Sequence, residues 1–229
     1  MDRMEKVRSH FDKEAQEFDG IIKNLIPYYD QMVEAIVSTI PFENSSNIEV
    51  LDLGCGTGTV SRAVRDAYPK ANLTCLDISV NMLQMARVKL ADITEVKFIN
   101  SDFYHFDFDK KYDAIVSSLA LHHLATSKDK LEIYKKINSS LKNEGILINA
   151  DIVLASTAIL QKRYMEYWKR FMCMNVSSDD IENKWIPKYY EEDRPISMVE
   201  HIDMLKEVGF DSVDVVWKYY NFAVYMALK

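Results

Sequence analysis

Residues 50–58 read Val50-Leu51-Asp52-Leu53-Gly54-Cys55-Gly56-Thr57-Gly58, an apolar run that stops at three alternating glycines. A short apolar run bounded by glycine suits a buried strand, here over 48–53. Beyond Gly58, the residues Val60, Ala63, Val64 and Ala67 recur at helical spacing. The segment is therefore strand, glycine turn and helix, and glycine in such a turn lets a ligand touch the backbone. The same alternation continues downstream. A strand over 73–76 leads to a helix capped by Ser79, with Met82, Leu83, Ala86 and Leu90 facing inward. Strands over 96–99 and 114–117 follow. A helix with Leu131, Tyr134, Ile137 and Leu141 on one face is expected to end at Gly145 and release a strand over 146–150. Such alternation builds a parallel sheet.

The flanks read as helices and a hairpin. Phe11, Ala15 and Phe18 share one helical face, and Pro27 starts a helix running toward Ile40. Residues 155–174 read as a long helix with Tyr164, Trp168 and Phe171 in a stripe. The capping box from Ser197 to Glu200 opens another, ended by Gly209. Two strands, 212–217 and 221–228, close the chain as an antiparallel pair. The divisions expected within this one domain are a helical cap (1–46), a core (47–152), a helical insert or lid (153–210) and closing strands (211–229).

The composition bounds the function. With 229 residues, 48% hydrophobic and 28% charged, the chain can bury a substantial core. A net charge of −7 disfavours a nucleic-acid partner, which needs clustered cations. Residues 1–18 are too charged for a signal or anchor, and the apolar stretch 146–160 is broken by Asn149 and Asp151, so no membrane association and a cytoplasmic location are expected. The three cysteines, Cys55, Cys75 and Cys173, have no pairing or metal-ligand spacing and read as reduced packing residues. Cys55 would adjoin a helix N-terminus, where a thiolate is favoured, but a catalytic thiol is not expected.

A dinucleotide-binding fingerprint fits only in part. Gly54 and Gly56 match G-x-G-x-x-G, but the third position is Thr59. The run VLDLGCGTG instead resembles the glycine motif of the Rossmann-like (class I) S-adenosylmethionine-dependent methyltransferases, and further stations match across 47–151. The resemblance implies an α/β fold with a Rossmann-like seven-stranded, mostly parallel sheet, an antiparallel terminal strand pair, N-terminal helices and a helical insert before the last two strands. It also implies S-adenosylmethionine as cofactor. Gly54, Cys55, Gly56 and Gly58 would cradle its methionine part near Asp52. Asp77 would bind the ribose, Ile78 and Met82 would border the adenine, Asp102 and Phe103 would hold its amine and ring, and Ser118 and Leu119 would line the sulfonium end. Three acids complement a ligand that carries a sulfonium and an ammonium.

A looser resemblance, around Pro27-Tyr28-Tyr29 and from Ser197 to the C-terminus, is to the carboxy-S-adenosylmethionine synthases of tRNA wobble-uridine modification. It implies Tyr29 near the methionine end, but that group's carboxylate-binding arginine aligns with Met204, and a thioether offers a carboxylate no charge. Arg163, Arg170 and Arg194 are the available substitutes, though they read as solvated surface charges, and carboxylation of the cofactor is the alternative function. The expected reaction is methyl transfer to a small-molecule acceptor, which needs alignment and no metal, with His122 and His123 as candidate catalytic bases. Tyr164, Trp168, Phe171, Trp185, Tyr189 and Tyr190 would roof the acceptor pocket or form a homodimer interface.

Overall fold

The computed structural model describes residues 3–229. Seven strands form one sheet in the order β3-β2-β1-β4-β5-β7-β6. They are β1 (Glu49–Leu53), β2 (Asn72–Asp77), β3 (Lys97–Asn100), β4 (Tyr112–Ser118), β5 (Leu141–Ile152), β6 (Ser212–Tyr219) and β7 (Phe222–Leu228). The first five run parallel, and β7 inserts antiparallel between β5 and β6. Apolar side chains alternate across β1. Val50 joins the core on one face, while Leu51 and Leu53, fully buried, join the core on the other. Burial on both faces explains why the strand reads as an apolar run.

Helices α4 (Thr59–Ala67), α5 (Val80–Lys89) and α6 (Ser127–Ser140) cross between the parallel strands. Ser79 caps α5 by accepting from the Met82 amide, and Met82, Leu83, Ala86 and Leu90 all point inward. On α6 the expected face is displaced. Leu131 is half-buried and Ile133 is buried, and the helix ends at Ser140. β5 starts at once from Leu141, and an irregular loop before Gly145 interrupts its pairing with β4. Glu144 there takes the left-handed conformation (φ 62°), so Gly145 is a step within the strand segment and not the helix stop.

The N-terminal cap is three helices, α1 (Arg3–Glu14), α2 (Phe18–Leu25) and α3 (Tyr29–Ser38). Phe11 and Phe18 therefore sit on separate helices, and Tyr28, left-handed at φ 56°, precedes α3 where Pro27 was expected to begin it. The insert comprises α7 (Ala158–Met172, capped by Thr157), a single turn α8 (Ser178–Asp180), a π-turn (Ile181–Trp185), α9 (Ile186–Glu192) and α10 (Met198–Glu207). Its aromatic stripe divides. Trp168 is buried against Tyr189 and Phe222, whereas Tyr164 packs on Tyr220. Among the described residues no helix is long and apolar enough to cross a membrane.

Candidate functional site

The carboxyl ends of β1, β2, β3 and β4 open into a cleft of about 770 Å³, the end at which parallel sheets bind ligands. The glycine loop forms its floor. Gly54 and Cys55 both donate their amides to the Leu76 carbonyl, at 2.8 and 2.9 Å, which turns the chain sharply off β1. Gly54 lies at φ 73°, and a Cβ there would fall 2.5 Å from the Ala120 Cβ. Gly56, at φ 52°, has open space where its Cβ would be, so a ligand can reach its backbone. Gly58 differs from expectation. It does not line the cleft, and a Cβ on it would meet Ala86 at 3.1 Å, so its role is to seat α4 against α5. Cys55 does line the cleft, but neighbouring Cys75 and burial push its thiol well above the usual range, the reverse of a helix-activated thiolate. Cys173 is exposed and packs in no core.

Asp52 and Asp77 stand side by side above this floor. Asp77 accepts from the amides of Gly56 and Ser79, both at 2.8 Å, and so ties two loops together. Asp52 accepts from the Ser61 hydroxyl at 2.6 Å, while its other oxygen, buried at the cleft, has no hydrogen-bond partner in the protein. An orphaned carboxylate oxygen beside an open glycine fits a ligand carrying a cation. Asp102, after β3, accepts from the amides of Tyr104 and His105 at 2.8 and 2.9 Å and from the His105 ring, so the turn holds its carboxylate at the cleft edge.

Burial, reinforced by Asp77, pushes the Asp52 carboxyl up to about 7, and burial pushes Asp77 up to about 6. Both shifts are upward, so folding favours the protonated acids; this contribution is complete below about pH 4 and is lost as pH rises through 6 to 7. A cationic ligand favours the ionised form instead. The thermal stabilisation given by S-adenosylmethionine is therefore expected to grow between about pH 5.5 and 7.5 and then level off. Asp52→Asn should flatten that profile, and a wild-type profile that is already flat would exclude Asp52 as the cation's partner.

The expected residues Tyr29, Ile78, Met82, Phe103, Ser118 and Leu119 all line the same cleft. Leu119 is left-handed (φ 53°), a conformation costing about 1 kcal/mol, and its amide is fixed to the Ala150 carbonyl at 2.8 Å. The sequence predicts the N-terminal helical cap but not its closure of this cleft as a lid. Met4, Val7, Phe11 and Phe18 of α1 and α2 form the remaining wall. Asp12 pins α1 by accepting from the Ser79 hydroxyl at 2.6 Å, and Asp19 pins α2 through an ion pair with Lys89 at 2.6 Å.

A second cavity, of about 720 Å³, adjoins the first and shares Phe11, Phe18, Leu119 and His123 with it. Trp168, Trp185 and Tyr189 line it, whereas Tyr164, Phe171 and the exposed Tyr190 do not. Its polar residues are mixed. Glu14, Glu192 and Asp193 face Lys188, His10, His122 and His123. His10 bridges Glu14 and Glu192 at 2.9 and 2.6 Å; against the burial that opposes charge, these bonds raise it to about 9.

The histidine pair has divided roles. His122 is buried and bonds through Nδ1 to Asp151; against burial, Asp193 and Asp151 hold its pKa above the ordinary value. His123 stands on the partition, its ring edge-on to Phe11 at 5.5 Å, and burial together with the charge of His122 drives it well below that value. Lys130, buried on α6, donates to the carbonyls of Leu121 and Leu124 and so fixes the loop that carries both. Arg163, Arg170 and Arg194 line neither cavity, and Arg163 and Arg170 lie over the Tyr167 ring. Met204 lines neither cavity either. It packs on α10 against the core that contains Leu205 and Phe210.

Comparison with known proteins agrees with this geometry. The profile of a methyltransferase domain family matches residues 50–145. A carboxy-S-adenosyl-L-methionine synthase of Nautilia profundicola is 30% identical, over 96% of this chain and 94% of its own. One from Campylobacter hominis is likewise 30% identical, over 98% and 96%. Among solved structures, a DhpI–SAM–HEP complex superposes with a TM-score of 0.69 at 18% identity, covering 99% of this chain and 97% of that one. Glycine floor, acidic walls and strand order thus coincide with a relationship that spans nearly the full chain: the protein belongs to the class I S-adenosylmethionine-dependent methyltransferase family, with carboxy-S-adenosyl-L-methionine synthases among its relatives.

Proposed function

We propose that the protein transfers a methyl group from S-adenosylmethionine to a small-molecule acceptor held in the second cavity. The supporting observation is the junction, where the two cavities meet at Phe11, Phe18, Leu119 and His123. In this reading the Gly54–Gly56 backbone and Asp52 hold the methionine part of the cofactor, Asp77 the ribose, and Met82, Asp102 and Phe103 the adenine. The cofactor supplies a methyl group already activated on a cationic sulfur. The chain's own residues align the acceptor and exclude water, the largest service that a displacement of this kind needs. Apolar walls from Phe18, Ile22, Trp168 and Tyr189 select an acceptor with an apolar or aromatic body.

The names of the relatives favour a second reading, carboxylation of the cofactor. It requires a cation for the added carboxylate, and among the described residues no lysine or arginine lines the first cavity. The cations of the second cavity, Lys188 and His10, are already paired with Glu14 and Glu192. Mass spectrometry decides between the two. Incubation with S-adenosylmethionine and prephenate is expected to give no carboxylated cofactor, and a metabolite screen is expected to give a methylated small product. Detection of the carboxylated mass would establish the second reading. Methylation of intact tRNA, with no small acceptor found, would overturn the first.

A further inference from the structure

We propose that His122, His123 and Asp193 form a binding site for one first-row divalent metal ion in the wall of the second cavity. One donor atom from each lies within 4.8 Å of the others. Asp193 Oδ1 is 3.5 Å from His122 Nε2 and 3.5 Å from His123 Nδ1. That spacing is long for a hydrogen bond. It suits a shared ion, because atoms about 2.0–2.1 Å from a tetrahedral metal stand roughly 3.3–3.4 Å apart.

Two further observations point to a ligand. His123 Nδ1 is buried without a hydrogen-bond partner, and its side chain is only 8% exposed. His122 has its other ring nitrogen on the fully buried Asp151, whose Oδ1 also accepts from the Ile152 amide at 2.9 Å. A carboxylate behind the imidazole is the arrangement that orients metal-binding histidines. It directs His122 Nε2 at Asp193. The backbone holds both halves of the site together, since the Arg194 amide donates to the His122 carbonyl at 2.9 Å.

Two imidazoles and one carboxylate suit zinc, iron, cobalt or manganese, with coordination positions left over. On the reading of this cavity as the acceptor site, those positions face the acceptor. An ion there would take an acceptor hydroxyl or thiol and lower its pKa, which supplies the activation that a protein base would otherwise provide.

The test uses the full chain, free of any affinity tag and stripped by chelator, with neither cofactor nor acceptor present. Calorimetry with Zn²⁺ and visible spectroscopy with Co²⁺ are expected to show one ion per chain. His123→Ala and Asp193→Asn should each weaken binding about 100-fold, and Asp151→Asn about 10- to 100-fold through loss of the orienting carboxylate. Cys173→Ser, which removes the exposed thiol, should change nothing. Thermal scans and circular dichroism show that each variant is folded, and S-adenosylmethionine affinity of Asp193→Asn, whose residue does not line the cofactor cleft, tests the cofactor reading separately. Absence of stoichiometric binding, or binding unaltered in both His123→Ala and Asp193→Asn, would overturn the site and leave the transferase reading standing.

Discussion

Asp77→Ala is expected to weaken S-adenosylmethionine binding about 100-fold, an effect of about 2.7 kcal/mol. Charge-assisted hydrogen bonds contribute roughly 1.5–3 kcal/mol each, and on the proposed reading Asp77 receives the ribose hydroxyls. The same carboxylate also accepts from Gly56 and Ser79, so its removal loosens the cradle as well as one contact. Asp77→Asn keeps one acceptor oxygen and should lose closer to tenfold. Titration calorimetry measures both variants. An alanine variant that binds within threefold of wild type would remove Asp77 from the ribose site.

Trp168→Ala should destabilise the fold by about 3–4 kcal/mol, the range for truncating a buried aromatic. In a domain of this length that corresponds to a fall in Tm of about 6–8 °C. The ring packs against Tyr189 and Phe222 at 5.4 and 5.5 Å, and its Nε1 donates to the Leu25 carbonyl at 2.7 Å, fastening α2 to α7. Because Trp168 also lines the second cavity, acceptor turnover should fall with stability. Cofactor affinity, governed by other loops, should stay within about threefold at temperatures where the variant is folded. Trp168→Phe restores most of the packing without the hydrogen bond and should recover most of the Tm. Thermal scans and calorimetry separate these effects, and an alanine variant with unchanged Tm would contradict the packing described.

The core was legible because its signals are local. Strand, glycine turn and helix follow one another within 20 residues, and Ser79 and Ser197 cap the helices they precede. What escaped the sequence depends on contacts between distant segments. Asp12 and Asp19 gave no sign that they fasten the lid, because Ser79 and Lys89 lie about 70 residues downstream of them. Asp193 is equally remote from the histidines it faces. Lys130, on the otherwise polar α6, is 2% exposed because the carbonyls it meets belong to the loop before the helix. Gly58 belonged to the motif in sequence but serves packing in space, since α5 approaches it closely.

The N-terminal lid has a thermodynamic consequence. α1 buries a single residue deeply, Val7, and the cleft it closes is lined by Met4, Val7 and Phe11. Its remaining ties to the protein are polar, chiefly Asp12 to Ser79 and His10 to Glu192, so it gains less from apolar burial than the core helices do. Much of the surface that should hold it down belongs to whatever fills the cleft. Occupancy and lid closure are therefore linked functions. A molecule bound beneath α1 stabilises the helix, and a substitution that opens the helix in the free protein lowers affinity by the fraction of closed molecules lost, so changes on its outer face can act as binding mutations without touching a ligand.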